Sequence, residues 1–297
     1  MLDSGSFMKY LQYERHYSSH TVDSYKNDLE QYAQYLITHL DINNEIEATH
    51  HHVRSWIVHL MQQSYSAKSI NRKLSAVKSY YKFQKKVGKL KVNPASNISG
   101  PKLAKRLPHV VRGSDIALGL DQLEDDASFM AQRDLTLLSI LYLTGMRRSE
   151  LINLKDSDID HSRHTIKVLG KGNKERLIPI SAELSDLILA YIERREETFA
   201  ESEYLLLTDK GQKMYPKFVY NKVRRWIGSI STVDKKGPHI LRHTFATHLA
   251  DSGAELNAIK ELLGHSSLAA TEIYMHNSIE RLKDVYGKAH PRAKKKR

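Results

Sequence analysis

The stretch HILRHTFATHL, residues 239–249, sets His239, Arg242, His243 and His248 within ten positions of a segment with helical spacing. Three histidines this close raise metal ligation first. Zinc sites on helices combine an i, i+4 histidine pair with a carboxylate. His239 and His243 have that spacing, but Arg242 lies between them and the stretch holds no acid. A metal would sit beside a permanent positive charge, so an anion fits better. His239 and Arg242 are three apart and share a helical face. There a guanidinium binds two phosphate oxygens while an imidazole relays a proton or donates a hydrogen bond. Gly237-Pro238 places the pair in a first helical turn, where free backbone N–H groups also favour an anion. His243 and His248 read as structural support, and no metal site is assigned.

One HxxR spacing is common by chance and needs partners. Arg147 follows a glycine in LTGMRRSEL, at a helix start. Lys171 sits at the tip of VLGKGNKERLIPI, where glycines on both sides let a phosphate approach. His265 follows in LLGHSS, and Tyr274 in TEIYMH, nine residues further on. Each has an ordinary alternative: a turn lysine, a helix-end histidine, one of 16 tyrosines. Their joint occurrence in this order is what distinguishes them.

These residues need a scaffold. The first hundred residues read as helices: Val22, Tyr25, Leu29, Tyr32, Leu36 and Leu40 recur at three or four, as do Val53, Ile57 and Leu60, then Ile70, Leu74, Val77 and Tyr81. The last of these helices carries Lys68, Arg72, Lys73, Lys78, Lys82, Lys85 and Lys86 with no acid between Lys68 and Lys86, which tilts the group toward phosphate contacts. The triplet His50–His52 reads as an exposed helix start. VNPASNISGPKLAKRLP, with three prolines, marks a domain boundary. Its Lys102, Lys105 and Arg106 would suit a phosphate backbone. The expected division is 1–98, a linker over 99–110, and 111–297. The second part mixes a helix through MAQRDLTLLSILYLTG, a short helix in MRRSELINLK, a β-hairpin in HTIKVLGKGNKERLIPI and at least three further helices before a basic tail.

Composition agrees with a polyanionic partner. The 297 residues hold 46 Lys+Arg against 34 Asp+Glu, a net +12. The absence of cysteine excludes disulfides, thiolate metal sites and cysteine nucleophiles. No apolar run is long enough to span a membrane, and MLDSGSFMKYLQYERHY lacks the core of a signal peptide, so the expected location is cytoplasmic.

Arg147, Lys171, His239, Arg242, His265 and Tyr274, with their surroundings TGxRxSEL, GKGxKER, HxLRHTFATHL, LLGH and IYxH, resemble the tyrosine recombinases of the phage-integrase type. Within that family the likeness is greatest to the bacterial Xer recombinases that resolve chromosome dimers. It extends to NRKLSAVKSYYKF in the N-terminal part. Arg148 stands where many members have an apolar residue.

The resemblance implies a mainly α fold with a small β-hairpin or sheet. A helical, SAM-like core-binding domain and a mixed α/β catalytic domain would form a C-shaped clamp around DNA. It implies that Tyr274 attacks a phosphodiester to form a 3′-phosphotyrosyl link, releasing a 5′-hydroxyl. A second strand's 5′-hydroxyl then reseals the DNA, with no cofactor. A free phenol, with a pKa of about 10, is only ~0.1% ionised at pH 7, and ionising it there costs ~4 kcal/mol. His239 is the implied proton acceptor. Arg147 and Arg242 would bracket the non-bridging oxygens of the transition state. Lys171 would protonate the leaving oxygen, His265 would hydrogen-bond the phosphate, and Glu150 would buttress Arg147. Implied partners are double-stranded DNA with a specific site, a homo-tetramer or a hetero-tetramer with a second recombinase, and a septal DNA translocase. SIERLKDVYGKAH, with Ile279, Leu282 and Val285, is expected to dock on a neighbouring subunit. Competing readings are a mobile-element integrase or invertase of the same family, a type IB topoisomerase-like enzyme, and a DNA-binding protein without catalysis.

Overall fold

The computed structural model describes residues 4–103, 110–126, 128–170, 175–199, 202–234 and 236–264. The chain divides into two compact units, Met1–Arg106 and Leu107–Arg297.

The first unit is helical among its described residues: α1 (Ser4–Lys9) running into a π-helical turn, α2 (Ser19–Leu40), α3 (His50–Gln62) and α4 (Ala67–Lys86). The apolar spacing becomes its core. Leu29, Tyr32, Leu36, Val53, Ile57, Leu60, Ile70, Leu74, Val77 and Tyr81 are buried, with Val22, Tyr25 and Leu40 packed at the margin. Two of the helix starts are capped by side chains. Ser66 Oγ accepts the Ser69 N–H at the head of α4. At α3 the histidine triplet is the first turn, and His52 Nδ1 accepts the Thr49 N–H. Two buried tyrosines in this core find acceptors on one residue: Tyr80 donates to Glu45 Oε1 at 2.5 Å and Tyr81 donates to the Glu45 carbonyl at 2.9 Å.

Lys73 departs from its expected role. It falls between Ile70, Leu74 and Val77 on the inward stripe of α4, and its ammonium donates to Asp28 at 3.0 Å and Gln31 at 2.5 Å. Asp28 on α2 is almost completely buried, so its charge requires these cations. Arg72 also reaches Asp28 but stays exposed, as do Lys68 and Lys102, with Lys78 half-exposed.

The second unit is built around α6 (Phe129–Thr144), whose residues 135–144 are buried on every side because other elements cover it. Against it pack α5 (Gly113–Glu124), α8 (Ala182–Thr198) and α10 (Pro238–Asp251). The short α7 (Arg148–Ile152) follows α6, α9 (Pro216–Ile230) precedes α10, and α11 (Leu256–Leu263) follows it. The expected hairpin is present as β2 (Thr165–Leu169) and β3 (Glu175–Pro179), antiparallel, with Ile166 opposite Ile178 and Leu169 opposite Glu175. A two-residue strand β1 (Ile159–Asp160) extends it to a three-stranded sheet in the order β1-β2-β3. The tip that carries Lys171 lies outside the described residues.

Candidate active site

Two glycines in left-handed conformation end the helices that frame the site. Gly145 closes α6 with φ +60°, and Gly264 closes α11 with φ +64°. A side chain would be strained at both. A Cβ on Gly145 would lie 2.4 Å from the Phe245 ring, and one on Gly264 would lie 3.1 Å from Arg176 Cδ. Their carbonyls face arginines: Arg242 Nη1 donates to Gly145 O at 2.7 Å, and Arg147 Nη2 to Gly264 O at 3.3 Å.

The C-terminal end of α11 collects two more such bonds. Arg242 Nη2 donates to Leu263 O at 2.5 Å, and Arg176 Nε to Leu262 O at 3.0 Å. Unpaired carbonyls at a helix C-terminus carry partial negative charge and attract cations. Three consecutive carbonyls, from residues 262, 263 and 264, thus each hold a different guanidinium. His265 is the next residue in the sequence, and it and Tyr274 lie outside the described residues.

Glu150 organises the cluster from the other side. Arg147 Nη1 donates to its Oε1 and Arg147 N to its Oε2, both at 2.7 Å. Arg176 binds the same carboxylate through both terminal nitrogens, at 3.0 and 2.8 Å. Burial alone would push this carboxyl up, but the hydrogen bonds and charges of Arg176 and Arg147 outweigh it and hold the group below its ordinary range. Arg242 is pushed down to about 10, first by burial and then by the nearby Arg147 charge, and stays cationic at neutral pH.

His239 is exposed on the first turn of α10, one turn before Arg242. It lines an open cleft of about 740 Å³ together with Arg148, Tyr220, Arg224, Asp234 and Lys236. Arg148, adjacent to Arg147 in sequence, turns away from Glu150 and donates to Pro216 O at 3.2 Å. His248 is half-buried, shares a 3.1 Å hydrogen bond with the Tyr142 hydroxyl, and is held below the ordinary histidine value mainly by burial. His243, expected to give support, is instead exposed, because α10 buries Leu241, Thr244, Phe245 and Leu249 on the opposite side.

The structure therefore brings together Arg147, Arg242 and Glu150, and sets His239 at a neighbouring cleft. Sequence reasoning missed Arg176 and the cleft residues Arg224 and Lys236. Arg176 stood inside the quoted GKGNKER motif, and the basic run in KVRRW was a visible signal for Arg224. Among the described residues, no three His, Asp or Glu side chains are grouped to hold a metal ion, and no helix is long and apolar enough to cross a membrane.

The chain is similar to known proteins. The phage integrase family profile matches residues 118–281, and that of the phage integrase N-terminal SAM-like domain matches residues 5–88. Tyrosine recombinase XerC of Chlorobaculum parvum is 35% identical, over 97% of this chain and 94% of that protein. XerC of Listeria innocua is also 35% identical, over 97% of each chain. The crystal structure of XerH site-specific recombinase bound to palindromic difH substrate superposes with TM-score 0.70 at 23% identity, over 90% of this chain and 79% of that one. The Tn1549 transposon integrase in complex with transposon right end DNA gives 0.73 at 19% identity, over 93% and 98%. At these identities the two structures speak to the fold. Together the matches define an enzyme of the tyrosine recombinase class. The chain belongs to the phage integrase family.

Proposed function

We propose that this site-specific recombinase is of the Xer type, acts in chromosome dimer resolution, and uses Arg147, Lys171, His239, Arg242, His265 and Tyr274 for its chemistry. The observation that carries the site assignment is the meeting of Arg147 and Arg242 at the end of α11, immediately before His265. Two cations fixed by backbone carbonyls are preorganised to receive the non-bridging oxygens of one phosphate, which is where charge grows in the transition state. Tyr274 attacks the phosphorus and its phenolic proton passes to His239. The bond to the 5′-oxygen breaks, and Lys171 protonates that oxygen. His265 donates to the phosphate. A 5′-hydroxyl of another strand reverses these steps to reseal the DNA, so one phosphodiester is exchanged for another of similar energy and no cofactor is used.

Lys68, Arg72, Lys78, Lys102, Lys105 and Arg106 are assigned to the DNA backbone. Lys73 is not, because Asp28 holds it. The cleft with Arg148, Arg224 and Lys236 adds further phosphate contacts beside His239. Recombination takes place in a tetramer on two sites, formed by this chain alone or with a second recombinase, with a septal DNA translocase as a candidate activator. The XerC relatives, matching at 34–36% identity over 97% of the chain, support the Xer role. The fold shared with the Tn1549 transposon integrase keeps a mobile-element role as the second reading.

The test is a nicked suicide duplex carrying the candidate chromosomal dimer-resolution site, incubated in EDTA with wild type and Tyr274→Phe. A denaturant-resistant adduct in the wild type alone is the expected result. Specific binding without an adduct would point to a missing partner. Neither binding nor adduct there, with activity on a mobile-element end, would overturn the chromosomal role.

A further inference from the structure

We infer that Arg176 is a positioning residue for strand cleavage, setting the orientation of Arg147 through Glu150 and locking the end of α11; this rests on the reading of Arg147 as a phosphate ligand. Glu150 has about four lone-pair sites on its two oxygens. Arg147 uses two of them, through its side chain and its backbone N–H, and Arg176 takes the other two with a parallel fork at 3.0 and 2.8 Å. The third donor of the same guanidinium goes to Leu262 O at 3.0 Å.

Exposure separates the roles of the two arginines. The Arg147 side chain is 32% exposed, so a phosphate has access to it, whereas Arg176 is 12% exposed and directs its three nitrogens at protein acceptors. Arg176 is thus occupied with the scaffold. Its charge offsets that of Glu150, a buried carboxylate that would otherwise bear on Arg147 alone. With Arg176 in place, the three arginines and Glu150 leave an excess of positive charge for an anion. Without it, the carboxylate loses the fork that fixes it, so its hold on Arg147 can shift, and α11 loses one of its three anchors. A lysine cannot replace the fork, because it has no planar set of donors.

The wild-type chain is used to select a duplex from a random-sequence pool, and that duplex is nicked to trap the adduct. Adduct formation is then measured in single turnover with enzyme saturating. The scissile linkage is either the ordinary phosphate or a methylphosphonate, whose reacting group lacks the negative charge that aligned arginines serve. On the phosphate, Arg176→Met slows adduct formation about 10- to 100-fold, the scale of a small misplacement of catalytic groups. Its dissociation constant for the duplex stays within about threefold of wild type, since Arg176 touches no phosphate in this scheme. On the methylphosphonate the two enzymes differ by no more than about threefold, because the guanidinium charge that was misaligned is no longer required there. Arg176→Lys, which keeps the charge and is read the same way if the methionine variant does not fold, remains slow on phosphate. Equal slowing on both linkages, or a wild-type rate on phosphate, overturns the inference. Arg147→Lys is the control for the parent reading: if it cleaves phosphate like wild type, that reading fails instead.

Discussion

At Glu150 four N–H donors meet two carboxylate oxygens, and the consequence is a measurable dependence on acid. The folded-state value lies below the ordinary 4.5, so the stabilisation is complete above that value and is lost as pH falls through the folded one. Glu150→Gln is expected to lower stability at pH 7 by about 3 kcal/mol, since it leaves two arginines without their counter-charge. The gap to wild type should close in denaturant melts carried out progressively below pH 4.5. Gly145→Ala tests a backbone requirement. The left-handed φ and the Phe245 ring 2.4 Å from the new methyl predict a loss of about 2 kcal/mol. The variant should also cleave more slowly, because the Gly145 carbonyl that orients Arg242 must move. Much of this site was legible residue by residue: Arg147, Arg242 and Glu150 were visible in TGMRRSEL and HILRHTF. Arg176 was not, because its acceptors are Glu150, 26 residues away, and a carbonyl 86 residues away. Local spacing carries no information about a backbone oxygen brought in by tertiary packing.

At the scale of elements, apolar spacing was reliable where a helix has one wet face. In α2, α3 and α4 the residues at three- and four-residue intervals are those that pack the first core. The same spacing puts Lys73 on the inward stripe of α4, where the residue type, usually exposed, points the other way. Lys73→Met should therefore alter thermal stability and leave the salt dependence of DNA binding unchanged. Lys68→Ala should do the reverse, reducing the slope of log affinity against log salt by about one. Arg224→Ala, on the wet face of α9 and in the cleft beside His239, is expected to behave like Lys68→Ala in a binding titration at several salt concentrations. Some elements, β1 and α5 among them, escaped the sequence reading. β1 has two residues, too few to show an alternation, and α5 begins just after the 99–110 linker, in a stretch to which the sequence reading gave no element.

For the whole molecule, two compact units and a net charge of +12 bear on how the enzyme meets DNA. The ends of the connection are tied down within each unit. Asn71 on α4 donates to Pro101 O at 2.9 Å, and Val111 N donates to Thr244 Oγ1 of α10 at 3.2 Å. The proposal of assembly on two sites is tested by removing residues 278–297, which hold Ile279, Leu282 and Val285. That truncation should retain binding to a single site and lose synapsis and recombination in gel and product assays; unchanged recombination would remove the docking role. The anchoring of three guanidinia on the carbonyls of residues 262, 263 and 264 also sets how α11 tolerates change. Side-chain replacement cannot delete a backbone carbonyl, so the exposed Leu256, Lys260 and Glu261 are open to substitution and suit labels or linkers. One residue inserted ahead of Leu262 would turn the helix end by about 100° and misdirect all three arginines at once. In this helix a change of length is more damaging than a change of letter.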